Sequence, residues 1–297
     1  INKQINSEIK ENIEKLFSYC DDDILKRYSK GGTTCTIKWF ILDPISQNLH
    51  VYDIILGDSP SMSIDVDKEK VEEIGFCQNC DTKEGIEQWL NISYNEPDAK
   101  PPKVVLGRFN TRPNGYLINS VDWVRDVGGY KMINIYDITQ NDDLSWKLEK
   151  SDTLKRFYTE CPHELKKRFS EGGPQTLRDK PKFKEEYLSG EYPSFNFGNT
   201  IEGFGQNLGT FGDKVDKVKF NTHCVPNINY SCISETPKEV YLIGSDGALD
   251  VNTDENIVKA FKVAKNMNKD GLELADNYCK ELVYQGNQQA KCNRWKF

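Results

Sequence analysis

The sequence predicts a mixed α+β fold, on three observations. Apolar residues recur at helical spacing near both ends of the chain, two β-rich runs flank a short turn, and the apolar run Val240-Tyr241-Leu242-Ile243 closes on Ser245-Asp246-Gly247. A chain of 297 residues can bury a full hydrophobic core without disulfide or metal staples.

The elements follow in order. Ile5, Ile9, Ile13, Leu16 and Phe17, then Ile24 and Leu25, line one face of a helix expected from Ile5 to Tyr28, with a break at the acidic run Asp21 to Asp23. Gly31-Gly32-Thr33-Thr34 stops it. Cys35 to Leu42 is rich in β-branched and aromatic residues, as a strand requires. Asp43-Pro44 turns the chain into a second strand, Leu49 to Leu56, which ends at Gly57-Asp58-Ser59-Pro60, so the two strands read as a hairpin.

Residues 64–207 are less regular and read as an insertion within a single domain of residues 1–297. Helical spacing predicts helices from Val66 to Ile74, Lys83 to Ile92 and Asp152 to Phe169. Arg112-Pro113-Asn114-Gly115 is a turn signal, Lys131 to Ile138 a strand, and Lys180 to Thr200 a long loop without period. After Phe211-Gly212-Asp213 a connecting segment leads to the strand at Val240. Helices are expected from Asn256 to Asn266 and from Leu272 to Tyr284, with Gly286 as punctuation. The closing Lys291-Cys292-Asn293-Arg294-Trp295-Lys296-Phe297 reads as a last short strand.

Composition narrows the function classes. Asp and Glu (46) outnumber Lys and Arg (39), giving a net charge of -7, and no basic run tracks a phosphate backbone, which argues against nucleic acid as a partner. No apolar run approaches the roughly eighteen residues of a membrane span, so a soluble chain without membrane insertion is expected. The nine cysteines are odd in number and scattered, which points to reduced thiols and an intracellular, cytoplasmic setting. Cys77-Gln78-Asn79-Cys80 stands alone, with His50, His163 and His223 isolated, whereas structural zinc wants a second ligand pair.

The chemistry-bearing residue is Asp246. A Ser-Asp-Gly turn at the end of a buried strand lifts a carboxylate where it can hold a hard cation, although the same tripeptide alone is an ordinary turn. Three further segments join it in order: Gly31-Gly32-Thr33-Thr34 before the hairpin, Gly57-Asp58-Ser59 at the hairpin's end, and Leu208-Gly209-Thr210-Phe211-Gly212-Asp213. With Leu249-Asp250-Val251 after the Ser-Asp-Gly, the set resembles the metal-dependent (PPM, type 2C) protein serine/threonine phosphatases. That family's pattern is a Gly-Ser-Thr-Ala-like start, a Gly-Asp-Ser hairpin end, a Phe-Gly-Asp, and an apolar-Ser-Asp-Gly-x-x-Asp-Val block. The Phe-Gly-Asp segment here lacks the family's usual Arg.

The resemblance implies two packed antiparallel β-sheets flanked by helices, with a bimetal Mg²⁺ or Mn²⁺ centre in the cleft between them. Asp246 matches a ligand of the catalytic pair, and Asp58 and Asp250 match carboxylates that, with Asp246, form a weaker additional metal site. Two departures accompany the match. The family's bridging aspartate lies in an Asp-Gly-His-Gly-Gly motif, which no stretch of these residues contains, so the sandwich is expected to be N-terminally incomplete. Cys292-Asn293 stands where the family has Asp-Asn before its last strand, and a thiolate is too soft a donor for Mg²⁺ or Mn²⁺.

Three readings of function follow. In the first, the chain is a pseudophosphatase that needs no cofactor and binds protein partners as a scaffold. In the second, it is an active Mg²⁺- or Mn²⁺-dependent phosphatase acting on a phosphoprotein, its bridging motif lying upstream of Ile1. In the third, it is a structural or assembly protein using its irregular middle, including the aromatic-rich loop from Tyr187 to Phe204.

Overall fold

The computed structural model describes residues 3–28, 30–80, 82–106, 136–152, 199–201, 207–234, 239–249, 252–267 and 271–292, and these form a mixed α+β fold with small antiparallel sheets. The chain divides into two compact units, one of residues 1–78, 209–215 and 223–292, the other of residues 79–208, 216–222 and 293–297. Several expectations lie outside the described residues: the turn at 112–115, the strand's first part at 131–135, and the helix of 152–169 beyond residue 152. So do most of the loops expected over 180–200 and 187–204, together with Asp250 and Asn293.

In the first unit, helix α1 (Lys3–Arg27) runs unbroken through Asp21, Asp22 and Asp23, contrary to the expected break. Asp21 is buried and its Oδ1 accepts the Gly212 N–H at 2.7 Å, while Asp23 meets Arg27 one turn on, on the exposed side. The acidic run is therefore split between two environments, and no local repulsion forces the helix open. Strands β2 (Cys35–Leu42) and β3 (Leu49–Leu56) occupy the expected residues and pair from Cys35↔Leu56 to Leu42↔Leu49. The other edge of β3 pairs with β11 (Asn227–Ile233), a strand whose polar Asn and Ser residues hid it in the sequence. Ile13 and Phe17 of α1 pack on Tyr52, Ile54, Leu56 and Phe211, and this apolar cluster fastens the helix to the sheet.

A second sheet in the same unit has the described strand order β12 (Glu239–Ile243), β4 (Ser61–Asp65), β5 (Lys70–Glu73). The helix expected from Val66 to Ile74 is thus a turn followed by a strand. Asp65 Oδ1 accepts the Lys68 N–H at 3.0 Å and Glu69 takes φ 56°, so the chain reverses and Val71 pairs with Ile64. Helices α5 (Asp254–Met267) and α6 (Gly271–Cys292) supply Ile257, Val258, Phe261, Ala264, Tyr278 and Leu282 to a core with Ile64 and Leu242. The Phe261 and Tyr278 rings meet edge-on at 5.5 Å.

Helix α6 also corrects the C-terminal expectation. It continues through Gly286, which is buried four residues after Leu282 and so shares its inward face. Lys291 and Cys292 belong to this helix, and the rest of the expected last strand, residues 293–297, lies outside the described residues. Burial along α6 outweighs the roughly 1 kcal/mol that an interior glycine costs a helix.

In the second unit, helix α2 (Lys83–Ser93) buries Ile86, Trp89 and Leu90, and Trp89 Nε1 donates to the carbonyl of Phe220, the last residue of α3 (Lys214–Phe220), at 3.1 Å. Strand β6 (Val104–Leu106) pairs with β9 (Asn199–Ile201), which makes Asn199 and Thr200 strand residues where a loop was expected. Strand β7 (Tyr136–Gln140) pairs with β8 (Trp146–Lys150). No described helix is long and apolar enough to cross a membrane.

Candidate functional site

Three of the sequence motifs meet in the first unit. Strand β1 (Gly32–Thr33) pairs with β10 (Phe211–Gly212), joining residues 31–34 to residues 209–213 across a long stretch of chain. The Asp213 N–H donates to the Gly31 carbonyl at 2.8 Å, and Thr210 Oγ1 donates to the Thr33 carbonyl at 3.2 Å. The Thr34 and Ser59 hydroxyls lie 3.0 Å apart, which brings in residues 57–59.

Gly57 is the pivot of this meeting. Its φ of 96° is left-handed, and a Cβ there would come within 2.2 Å of Thr34 Cγ2 and 3.1 Å of the Gly209 carbonyl. Gln78, fully buried, clamps the same residue. Its Oε1 accepts the Gly57 N–H at 3.0 Å, its own N–H donates to the Gly57 carbonyl at 2.7 Å, and its Nε2 donates to the Val225 carbonyl at 2.8 Å. In the sequence nothing marks Gln78 beyond its place between Cys77 and Cys80. A buried side-chain amide that satisfies two backbone groups leaves no periodic trace.

The fourth motif reaches the same end of the second sheet. Ile243 is paired with Ser61 in antiparallel register, so the turn leaving β12 and the turn leading into β4 lie side by side. Asp58 is three residues before Ser61, and Asp246 is three residues after Ile243, where it opens the short helix α4 (Asp246–Leu249). The Ser245 carbonyl accepts N–H groups from Ala248 and Leu249 at 3.0 and 3.1 Å, which folds the Ser-Asp-Gly turn into that helix. Leu249 then returns to the core against Gly244, where a Cβ would sit 3.1 Å from Leu249 Cγ. Asp58 is half-buried, Asp250 lies outside the described residues, and Cys292 closes α6.

Between the two sheets runs a polar cluster that the sequence did not announce. The Lys38 ammonium of β2 pairs with the Asp53 carboxylate of β3, with side chains only 4% and 3% exposed. Ser61 Oγ of β4 donates to Asp53 Oδ1 at 2.6 Å, and the ammonium sits 4.4 Å from the centre of the Tyr241 ring of β12. Phe40 reaches the same ring, with centroids 5.6 Å apart. A lysine in the middle of a strand reads as a solvent-facing residue; only its long-range partners reveal it as buried.

The backbones of Asp58 and Asp246 follow from paired strand ends, and carboxylates are hard oxygen donors of the kind Mg²⁺ or Mn²⁺ takes. Among the described residues no group of three or more His, Cys, Asp or Glu is arranged to hold a metal ion. The second unit carries a separate cavity of about 780 Å³, lined by Lys100, Lys103, Tyr136, Asp137 and Trp146 among others, whose mixed charges select no ligand sign. No protein-family model matches the chain, and no curated protein matches it.

Proposed function

We propose that the chain is a type 2C phosphatase-like protein that keeps the family's architecture, has lost its catalytic metal chemistry and works as a binding scaffold for a protein partner. The observation that carries this reading is the meeting of residues 31–34, 57–59 and 209–213, distant segments whose order and composition resemble the family's motifs. The packing of α1 on one sheet and of α5 and α6 on the other, with Phe40 against Tyr241, supports the family's α-β-β-α sandwich.

Loss of catalysis is supported by two residues' worth of chemistry. No stretch of these residues contains the Asp-Gly-His-Gly-Gly motif that would bridge two metals, and position 292, within helix α6, carries a thiol where the family has a carboxylate. Asp58, Asp246 and Asp250 are the residues that would hold a hard divalent cation. Such a cation, when bound, orients a phosphoryl group and lowers the pKa of a water. Among these residues a cation at the three would have no bridging carboxylate to share with a second ion.

Calorimetric titration with Mn²⁺ tests the reading. The scaffold reading predicts no saturable uptake by the purified chain. Saturable uptake that Asp246→Asn abolishes would favour the active-enzyme reading instead.

A further inference from the structure

Helix α1 meets the first sheet along a stripe of Ile13, Phe17 and Ile24, which pack in one apolar cluster with Phe211 and with Cys35, the first residue of β2. Cys20 belongs to that stripe by spacing, three residues after Phe17 and four before Ile24, yet it is exposed. Its neighbour Asp21 is tied to the Gly212 N–H at 2.7 Å, and Gly212 pairs with Gly32, just ahead of Cys35 in the chain. The two thiols therefore face one cluster, Cys20 at its solvent edge and Cys35 half-buried against it. Both are free. Burial pushes the Cys35 thiol above its ordinary range, and the Cys20 thiol close by pushes it further.

We propose that Cys20 and Cys35 are a redox pair, which a small-molecule disulfide of the glutathione type closes into a disulfide that fastens α1 to the start of β2. The roles follow from exposure. The accessible Cys20, as its thiolate, attacks one sulfur of the glutathione disulfide; a protein–glutathione mixed disulfide forms and one glutathione leaves as thiolate. Cys35 then loses its proton to solvent, its sulfur attacks Cys20 Sγ, and the second glutathione leaves. Two electrons pass from the two protein thiols to the two glutathiones, which take up the two protons released. The bond closes the loop between residues 20 and 35, so it restricts the unfolded chain and holds the helix on its sheet. This inference stands on the packing of α1 and does not rest on the phosphatase-like reading.

The test treats the purified, folded chain with oxidised glutathione, digests it without reduction and reads the peptides by mass spectrometry. A peptide pair joined through Cys20 and Cys35 is expected in the wild type and not in Cys20→Ser. In Cys35→Ser the glutathione should stay on Cys20, because nothing displaces it. The oxidised wild type should also unfold at a higher urea concentration than the same chain kept in dithiothreitol, and Cys20→Ser should lose that shift. Cys20 is exposed, so its serine variant keeps the fold and decides the case even if Cys35→Ser does not fold. Glutathione that remains on Cys20 in the wild type, a bond from either residue to another cysteine, or no joined pair at all would each overturn the proposal. An unchanged urea midpoint in a chain that does carry the bond would overturn its fastening role.

Discussion

Lys38 and Asp53 form an ion pair removed from water between two sheets, so each charge depends on the other. Removing one leaves a buried charge alone. Lys38→Met should therefore cost about 3–5 kcal/mol in urea unfolding, and the double change Lys38→Met with Asp53→Leu should recover most of it. Recovery will stop short of complete because Ser61 Oγ also loses its acceptor. Asp21→Ala strips the buried Gly212 N–H of its partner and should cost about 1–3 kcal/mol by the same measurement. Gly57→Ala must hold a left-handed φ against Thr34, and a loss above about 1 kcal/mol is expected. At this scale the sequence was half legible. Gly57, Asp58 and Asp246 stood out because turn residues are chosen for local reasons, whereas Asp21, Lys38, Asp53 and Gln78 owe their roles to contacts formed only in the folded chain.

Helices and strands were most legible where one periodic face meets one core. Strands β2 and β3 matched the expected residues because their β-branched and aromatic runs are bounded by Gly and Asp-Pro. The turn after β4 was misread because Val66, Val71 and Ile74 suggest a helix face, while the decisive feature is Asp65 receiving Lys68. There the Lys68 ammonium donates to Asp65 Oδ2 at 2.7 Å and, with the backbone N–H of Lys68, holds the Asp65 carboxyl below its usual range. A depressed carboxyl contributes stability above its unfolded pKa of about 3.9 and loses it as pH falls through the folded value. NMR titration of Asp65 should thus show a midpoint below about 3.9, and Lys68→Ala should move it upward. Helix α6 was underestimated for the converse reason, since Gly286 suggests a stop in the sequence yet is buried within the helix.

Across the whole chain, turn residues marked the segments 31–34, 57–59 and 209–213 in the sequence, whereas their meeting in the first unit, strand β11 and the packing of α5 and α6 beneath β12 and β4 were visible only in the fold. Residues 79–208 fall in the second unit, and their irregular pattern gave no equivalent guide. Under the proposed reading, the chain is a phosphatase-like frame without phosphatase chemistry. Turnover of a phosphopeptide by the purified chain in Mn²⁺ tests this most directly. No release of phosphate above the metal-only background is predicted; Mn²⁺-dependent release that disappears in Asp246→Asn would contradict it.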